Sequence, residues 1–174
     1  IQADLKTFQM RGVYGMSVIT AITAQNTRGV FDIHPVPQST VRAQVQAIAE
    51  DLPPAAVKIG MLGSADTVAC VRQWLAEHPM PLVVLDPVMV ATSGDRLLDP
   101  DAEQAVIEFA HHVDIVTPNV PELAVLLSAP EPARTFEETL SQAVEFAQKS
   151  NTIVIAKGGH LDGKLASNAV VYPD

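Results

Sequence analysis

Val18-Ile19-Thr20-Ala21-Ile22-Thr23-Ala24, followed by Gln25-Asn26-Thr27-Arg28-Gly29, is the stretch on which the reading of the fold turns. Its first part holds only small, apolar or β-branched residues, which suit a strand buried on both faces of a parallel sheet. The run then breaks into two amides, a hydroxyl, a guanidinium and a glycine. Such a change marks the carboxyl end of a buried strand that opens on a crevice, where open parallel α/β sheets bind ligands. Residues 25–29 are equally compatible with an ordinary turn.

On the amino-terminal side, residues 1–12 read as a helix with Ile1, Leu5 and Phe8 on one face and Gly12 as its stop. Asp4 near its start complements the helix dipole. On the carboxyl side, residues 30–37 are extended. Pro35 and Pro37 keep them out of a central sheet position and suggest a flap over the crevice. A helix to about Asp51 should be capped by Ser39 or Thr40. A strand over 55–60 leads to Met61-Leu62-Gly63, and a helix over 65–78, capped by Ser64 or Asp66, buries Val68, Val71, Trp74 and Leu75. Cys70 lies near that stripe and reads as core.

The most hydrophobic strand, 81–85, ends at Asp86-Pro87-Val88-Met89. A carboxylate there needs a partner or solvent, so Asp86 should face a polar crevice or cap a loop. Ser93-Gly94-Asp95 reads as a turn, 99–111 as a helix and 113–116 as a strand leading into Thr117-Pro118-Asn119-Val120-Pro121-Glu122. His111-His112 lacks metal-ligand spacing and reads as a solvated helix end. A short helix to Leu127, a helix over 135–149, a strand over 152–156, the segment Lys157-Gly158-Gly159-His160 and an exposed strand over 168–172 complete the chain. Strands alternating with helices imply a mainly parallel sheet in a three-layer α/β/α arrangement. The polar segments at residues 25–29, 60–63, 86–89, 117–122 and 157–160 are then expected along one sheet edge, as a site.

The 174 residues suit a single domain, 1–174. With 48% hydrophobic and 18% charged residues, no apolar run of spanning length and a single cysteine, a soluble cytoplasmic protein without membrane contact is expected. A net charge of −9 argues against a general nucleic-acid binder. An anionic small molecule would need local positive charge, and Lys157 beside Gly158 and Gly159 offers it. The P-loop and dinucleotide glycine patterns do not occur in the sequence. Asn119 and Glu122 have the spacing of a capping box, and Glu122 equally suits a carboxylate holding a magnesium-bound water. Gln25 pairs an acceptor with a donor, matching an aminopyrimidine edge, for which Met61 and Val88 would supply apolar walls.

These segments together resemble the hydroxymethylpyrimidine/phosphomethylpyrimidine kinases of thiamine biosynthesis, in the ribokinase-like superfamily. The resemblance is carried by Ile1-Gln2-Ala3-Asp4-Leu5-Lys6-Thr7-Phe8, by residues 15–21 and 24–30, and by Lys58-Ile59-Gly60-Met61-Leu62. It continues through Val84-Leu85-Asp86-Pro87-Val88-Met89, Thr117-Pro118-Asn119-Val120-Pro121-Glu122 and Lys157-Gly158-Gly159-His160. It implies ATP-dependent phosphorylation of 4-amino-5-hydroxymethyl-2-methylpyrimidine and then of its monophosphate, with magnesium, in a homodimer. Gln25 would read the pyrimidine, Met61 and Val88 would line its pocket, and Asp4 would lie near it. Asn119 and Glu122 would arrange phosphate and magnesium, Glu122 through water, with Asp86 close by and Lys157 on the nucleotide phosphates. The family's first strand and Gly-rich acidic segment would precede Ile1. Its Gly-Thr-Gly anion hole and catalytic Cys or Asp would follow Asp174, so no catalytic residue is expected within 1–174. Pyridoxal kinase on the same scaffold, and a catalytically silent pyrimidine- or nucleotide-binding fragment, are the alternatives.

Overall fold

The computed structural model describes residues 1–89, 98, 100–159 and 167–174. The expected turn at Ser93-Gly94-Asp95 and His160 lie outside the described residues.

Alternating apolar strands and amphipathic helices build a five-stranded sheet of β3 (Val57–Ile59), β4 (Val83–Leu85), β5 (Ile115–Val116), β6 (Ile153–Lys157) and β7 (Asn168–Val171), in that spatial order. The first four run parallel, with Val57 opposite Val83, Val84 opposite Ile115 and Ile115 opposite Ile153. Parallel strands need crossovers, and helices between them supply these. The last strand, β7, returns antiparallel on β6, with Ile155 opposite Val170. The result is the α/β fold with a mainly parallel sheet that the alternation implied.

The helices are α1 (Gln2–Met10), α2 (Gln38–Asp51), α3 (Ala65–Glu77), α4 (Pro100–Ala110), α5 (Val120–Leu126) and α6 (Phe136–Ser150). The α3 helix packs against α2 and α4, while α5 packs against α6, which lies along β6 and β7. Leu85, Val116 and Val154 of the sheet meet Val68, Phe109, Leu123 and Phe146 of the helices in one core. Cys70 and Trp74 are buried as expected. Ser64 caps α3 by accepting the Thr67 N–H, and Thr135 caps α6 by accepting that of Glu138. The α2 helix differs from expectation. Its N-cap is Pro37, with no side-chain cap, so neither Ser39 nor Thr40 caps it.

A larger difference concerns residues 18–29. The strand there, β1 (Ala21–Asn26), lies in a separate two-stranded sheet with β2 (Gly29–Pro35), paired antiparallel, and not in the parallel sheet. It is not buried on both faces, since Ile22, Ala24, Gln25 and Asn26 are all exposed. Thr27 and Arg28 form the turn between Asn26 and Gly29, and the Asn26 side chain accepts the Arg28 N–H at 2.8 Å. That bond is the local side-chain turn geometry asparagine favours. The polar break after Ala24 is thus a hairpin turn and not the carboxyl end of a central strand. Small β-branched residues serve either place, and what separates them is the next strand, which folds straight back. The flap expected at residues 30–37 is the hairpin's second strand.

Two side chains anchor this hairpin to the main body. Gln44 of α2 accepts the Ile19 N–H at 2.9 Å and donates to the Ile19 carbonyl at 3.0 Å. The Thr20 hydroxyl donates to the Met61 carbonyl at 2.8 Å. No residue before Val41 is buried, so α1 and the hairpin lie over the surface of a core built from the rest.

Candidate active site

Four of the five polar segments follow the carboxyl ends of the parallel strands β3 to β6 and so share one edge of the sheet. In such sheets that edge is where ligands bind. A chain of alternating charges crosses it. Lys58, in the middle of β3, donates to Asp4 Oδ1 of α1 at 2.7 Å and lies 3.5 Å from Asp86 Oδ2. Lys157, the last residue of β6, donates to Asp86 Oδ1 at 2.8 Å. Asp4 Oδ2 also lies 3.4 Å from the amino nitrogen of Ile1. Asp86 therefore has the partners its place at the end of a buried strand requires, in two ammonium groups from opposite sides.

These groups are partly screened from solvent, the side chains of Asp86, Asp4 and Lys58 being 20%, 28% and 30% exposed. Burial works against the charge on Asp4, the Lys58 ammonium works for it by hydrogen bond and charge, and the carboxyl is held below its usual range. Burial likewise opposes the Lys58 ammonium, and Asp4 and Asp86 outweigh it, so this lysine is held above its usual value.

Beyond Lys157 lies Glu122, at the amino end of α5. Its capping box is fully formed. The Asn119 side chain accepts the Glu122 N–H at 2.9 Å, and Glu122 Oε2 accepts the Asn119 N–H at 2.8 Å. Lys157 N–H donates to the Pro118 carbonyl at 2.9 Å, fixing β6 beside this turn. Glu122 is only 6% exposed. Burial raises its pKa most. The N–H groups of Asn119 and Met89 and the Lys157 charge offset this in part, and Asp86 adds to it. The raised value marks a carboxylate held against its solvation preference, which is more frequent at functional sites than elsewhere.

Gly158 explains itself structurally. Its N–H donates to the Ser167 carbonyl at 2.9 Å, and a Cβ at this position would collide with that oxygen. That amide is thus engaged where β6 ends and β7 begins and is not free to cradle an anion, a correction to the role expected of it. Of the remaining expected residues, Met61 and Val88 are half-buried in the loops after β3 and β4, while Gln25 stands exposed on the hairpin. Asp4, Asp86, Asn119, Glu122 and Lys157 are brought together. Gln25 is not brought to them: it stands on the hairpin, and the nearby Thr20 hydroxyl just before that strand donates to the Met61 carbonyl. Lys58 is the central charge that reading the sequence missed. Its signal was a lysine between two branched apolar residues on a strand entering a polar loop.

The full chain, residues 1–174, matches the family model described as phosphomethylpyrimidine kinase. A thiamine biosynthesis multifunctional protein of Corynebacterium glutamicum is 56% identical over all of this chain, which covers 23% of that protein. The hydroxymethylpyrimidine/phosphomethylpyrimidine kinase of Haemophilus influenzae is 49% identical over 92% of this chain and 59% of its own length. The chain therefore spans about a quarter of the multifunctional relative and about three fifths of the kinase. Among solved structures, phosphomethylpyrimidine kinase from Clostridium difficile 630 superposes with a TM-score of 0.87 at 40% identity, covering 98% of this chain and 73% of that one. Since the family model spans all of residues 1–174, the chain belongs to the phosphomethylpyrimidine kinase family.

Proposed function

We propose that the protein carrying this chain transfers the γ-phosphoryl group of ATP to the hydroxymethyl group of 4-amino-5-hydroxymethyl-2-methylpyrimidine, and then a second one to the monophosphate. The observation that carries this reading is the array Asp4–Lys58–Asp86–Lys157, with Glu122 beside it, at the carboxyl edge of a parallel sheet. Phosphoryl transfer needs positioning and positive charge where negative charge develops. Lys157 supplies the charge on the phosphate side. Asp4, Gln25, Met61 and Val88 form the pyrimidine side. Asn119 and Glu122 order the phosphates, with Asp86 fixing Lys157.

Among the described residues no group of three or more His, Cys, Asp or Glu is placed to hold a metal ion. The donor set therefore fits a magnesium carried mainly by phosphate oxygens and water, with Glu122 acting through that water. Bound there, magnesium would neutralise charge on the transferred group. The base acting on the hydroxymethyl group is assigned to no residue of 1–174. No helix of the described residues is long and apolar enough to cross a membrane. A cytoplasmic homodimer acting on small molecules, without nucleic acid or membrane, completes the proposal.

Pyridoxal kinase chemistry is the second reading, since pyridoxal also presents a ring hydroxymethyl group. The curated relatives named above favour the pyrimidine. Incubating the full-length protein with magnesium-ATP and either substrate, and following the products by mass spectrometry, tests both. The expected result is pyrimidine monophosphate followed by diphosphate. Phosphorylation of pyridoxal alone would replace the first reading by the second, and no transfer to either would remove both.

A further inference from the structure

Lys58 occupies the centre of the charge array without a role in the reading above. It reaches Asp4 at 2.7 Å and Asp86 at 3.5 Å, so it leans toward the α1 carboxylate while staying within reach of the other. Asp86 in turn is held closely by Lys157, at 2.8 Å. We propose that Lys58 is a positioning residue that couples the two ligand sites. Nucleotide phosphates draw Lys157 off Asp86, Lys58 then swings from Asp4 toward Asp86, and Asp4 is freed to receive the pyrimidine.

The inference rests on the functional reading, in which Lys157 faces phosphate and Asp4 faces the pyrimidine. Its physical content is the sharing of one cation. Two carboxylates and two ammonium groups balance while no ligand is bound. A triphosphate competes with Asp86 for Lys157, and a carboxylate that loses its close partner in a partly buried place must find another. Among the described residues, Lys58 is the remaining ammonium within 4 Å of Asp86. A lysine on a flexible stem with three rotatable donors can make that exchange. The groups around this exchange are few: Asp4 faces Lys58, and Asp86 faces Lys58 and Lys157. Glu122 feels both Lys157 and Asp86 electrostatically. A ligand that changes the balance at one end thus changes it at the other, and by linkage the effect is reciprocal.

The test is calorimetry on the full-length protein with 4-amino-5-hydroxymethyl-2-methylpyrimidine as one ligand. The other is magnesium with β,γ-methylene-ATP, which cannot be transferred. In the wild type the pyrimidine dissociation constant should fall at least about fivefold when the nucleotide analogue is present. In Lys58→Met it should change by less than about twofold, and Lys58→Arg, which keeps the charge, should restore part of the coupling. A measurement on the wild type alone guards against a misfolded variant. The Asp4 carboxyl, titrated by NMR, should move up toward its ordinary range when the analogue alone is added. Coupling that survives in folded Lys58→Met, or an Asp4 titration that the analogue leaves unmoved, overturns the proposal. A wild type that binds both ligands independently overturns it while leaving the functional reading intact, and one that binds neither removes both.

Discussion

One oxygen of Glu122 accepts the Asn119 N–H at 2.8 Å, yet the side chain is only 6% exposed and its pKa is raised, chiefly by burial. The capping bond needs an acceptor and not a charge, and glutamine serves a capping box as well as glutamate. Organising phosphate and magnesium needs the charge. Glu122→Gln in the full-length protein should therefore cut turnover at least tenfold, about 1.4 kcal/mol of transition-state stabilisation, with partial recovery at higher magnesium. The thermal signature has a definite sign. A raised folded-state pKa means that the native protein binds the proton more tightly than the unfolded chain. That contribution is full below the ordinary carboxylate range and is lost as pH rises through the raised value. The melting temperature of the variant minus that of the wild type should therefore increase from acid to neutral pH. Normal turnover per folded molecule would reduce Glu122 to a cap. Both readings of this residue were open in the sequence because one spacing serves both. The partners of Lys58 were not legible, because its two carboxylates lie 54 and 28 positions away in the chain and only the fold brings them to it.

Between neighbouring elements, the ends of β6 and β7 meet closely at Gly158 and Ser167. Gly158 has no room for a side chain, because a Cβ would meet the rigid Ser167 carbonyl and not a movable side-chain end. Gly158→Ala should destabilise the protein by about 1–3 kcal/mol, as overpacking does elsewhere, and should weaken nucleotide binding by shifting Lys157 one residue away. Unchanged melting with unchanged binding would show that this contact relaxes freely. The elements themselves were largely readable from the chain. Amphipathic periods and caps placed α3 and α6 to within a residue or two, and Asp86 announced a crevice by sitting where a buried strand ends. The turn at residues 25–29 was one of two readings the sequence left open, and the sheet its strands join was not readable. Asn26-Thr27-Arg28-Gly29 lacks the Asn-Gly or Asp-Gly pair that marks a two-residue turn. The strand before it is apolar enough for a core that it never enters. Local pattern sets strand propensity, whereas the sheet a strand joins is decided by partners elsewhere.

Across the whole molecule, the proposed site draws on two parts that differ in burial. Asp86, Asn119, Glu122 and Lys157 stand on elements packed into the core, while Asp4 and Gln25 stand on α1 and the hairpin, which contribute no buried residue. Those outer elements are tied down by Lys58–Asp4, by Gln44 on Ile19 and by Thr20 on Met61. Regions with few buried contacts open at low free-energy cost, independently of global unfolding. Hydrogen exchange on the full-length protein should thus show two tiers. Amides of β4, β5 and β6 should exchange only with global unfolding, and those of residues 1–36 much faster. In the proposed assignment the pyrimidine touches Asp4 and Gln25, and it should then slow exchange in residues 1–36 strongly, because it adds contacts where the protein has few. A nucleotide analogue alone should act mainly near Lys157 and α5. Core-like protection of α1 without ligand would contradict the division. Equal slowing of the outer tier by either ligand alone would place the nucleotide against α1 as well, and the assignment of the two sides would have to be redrawn.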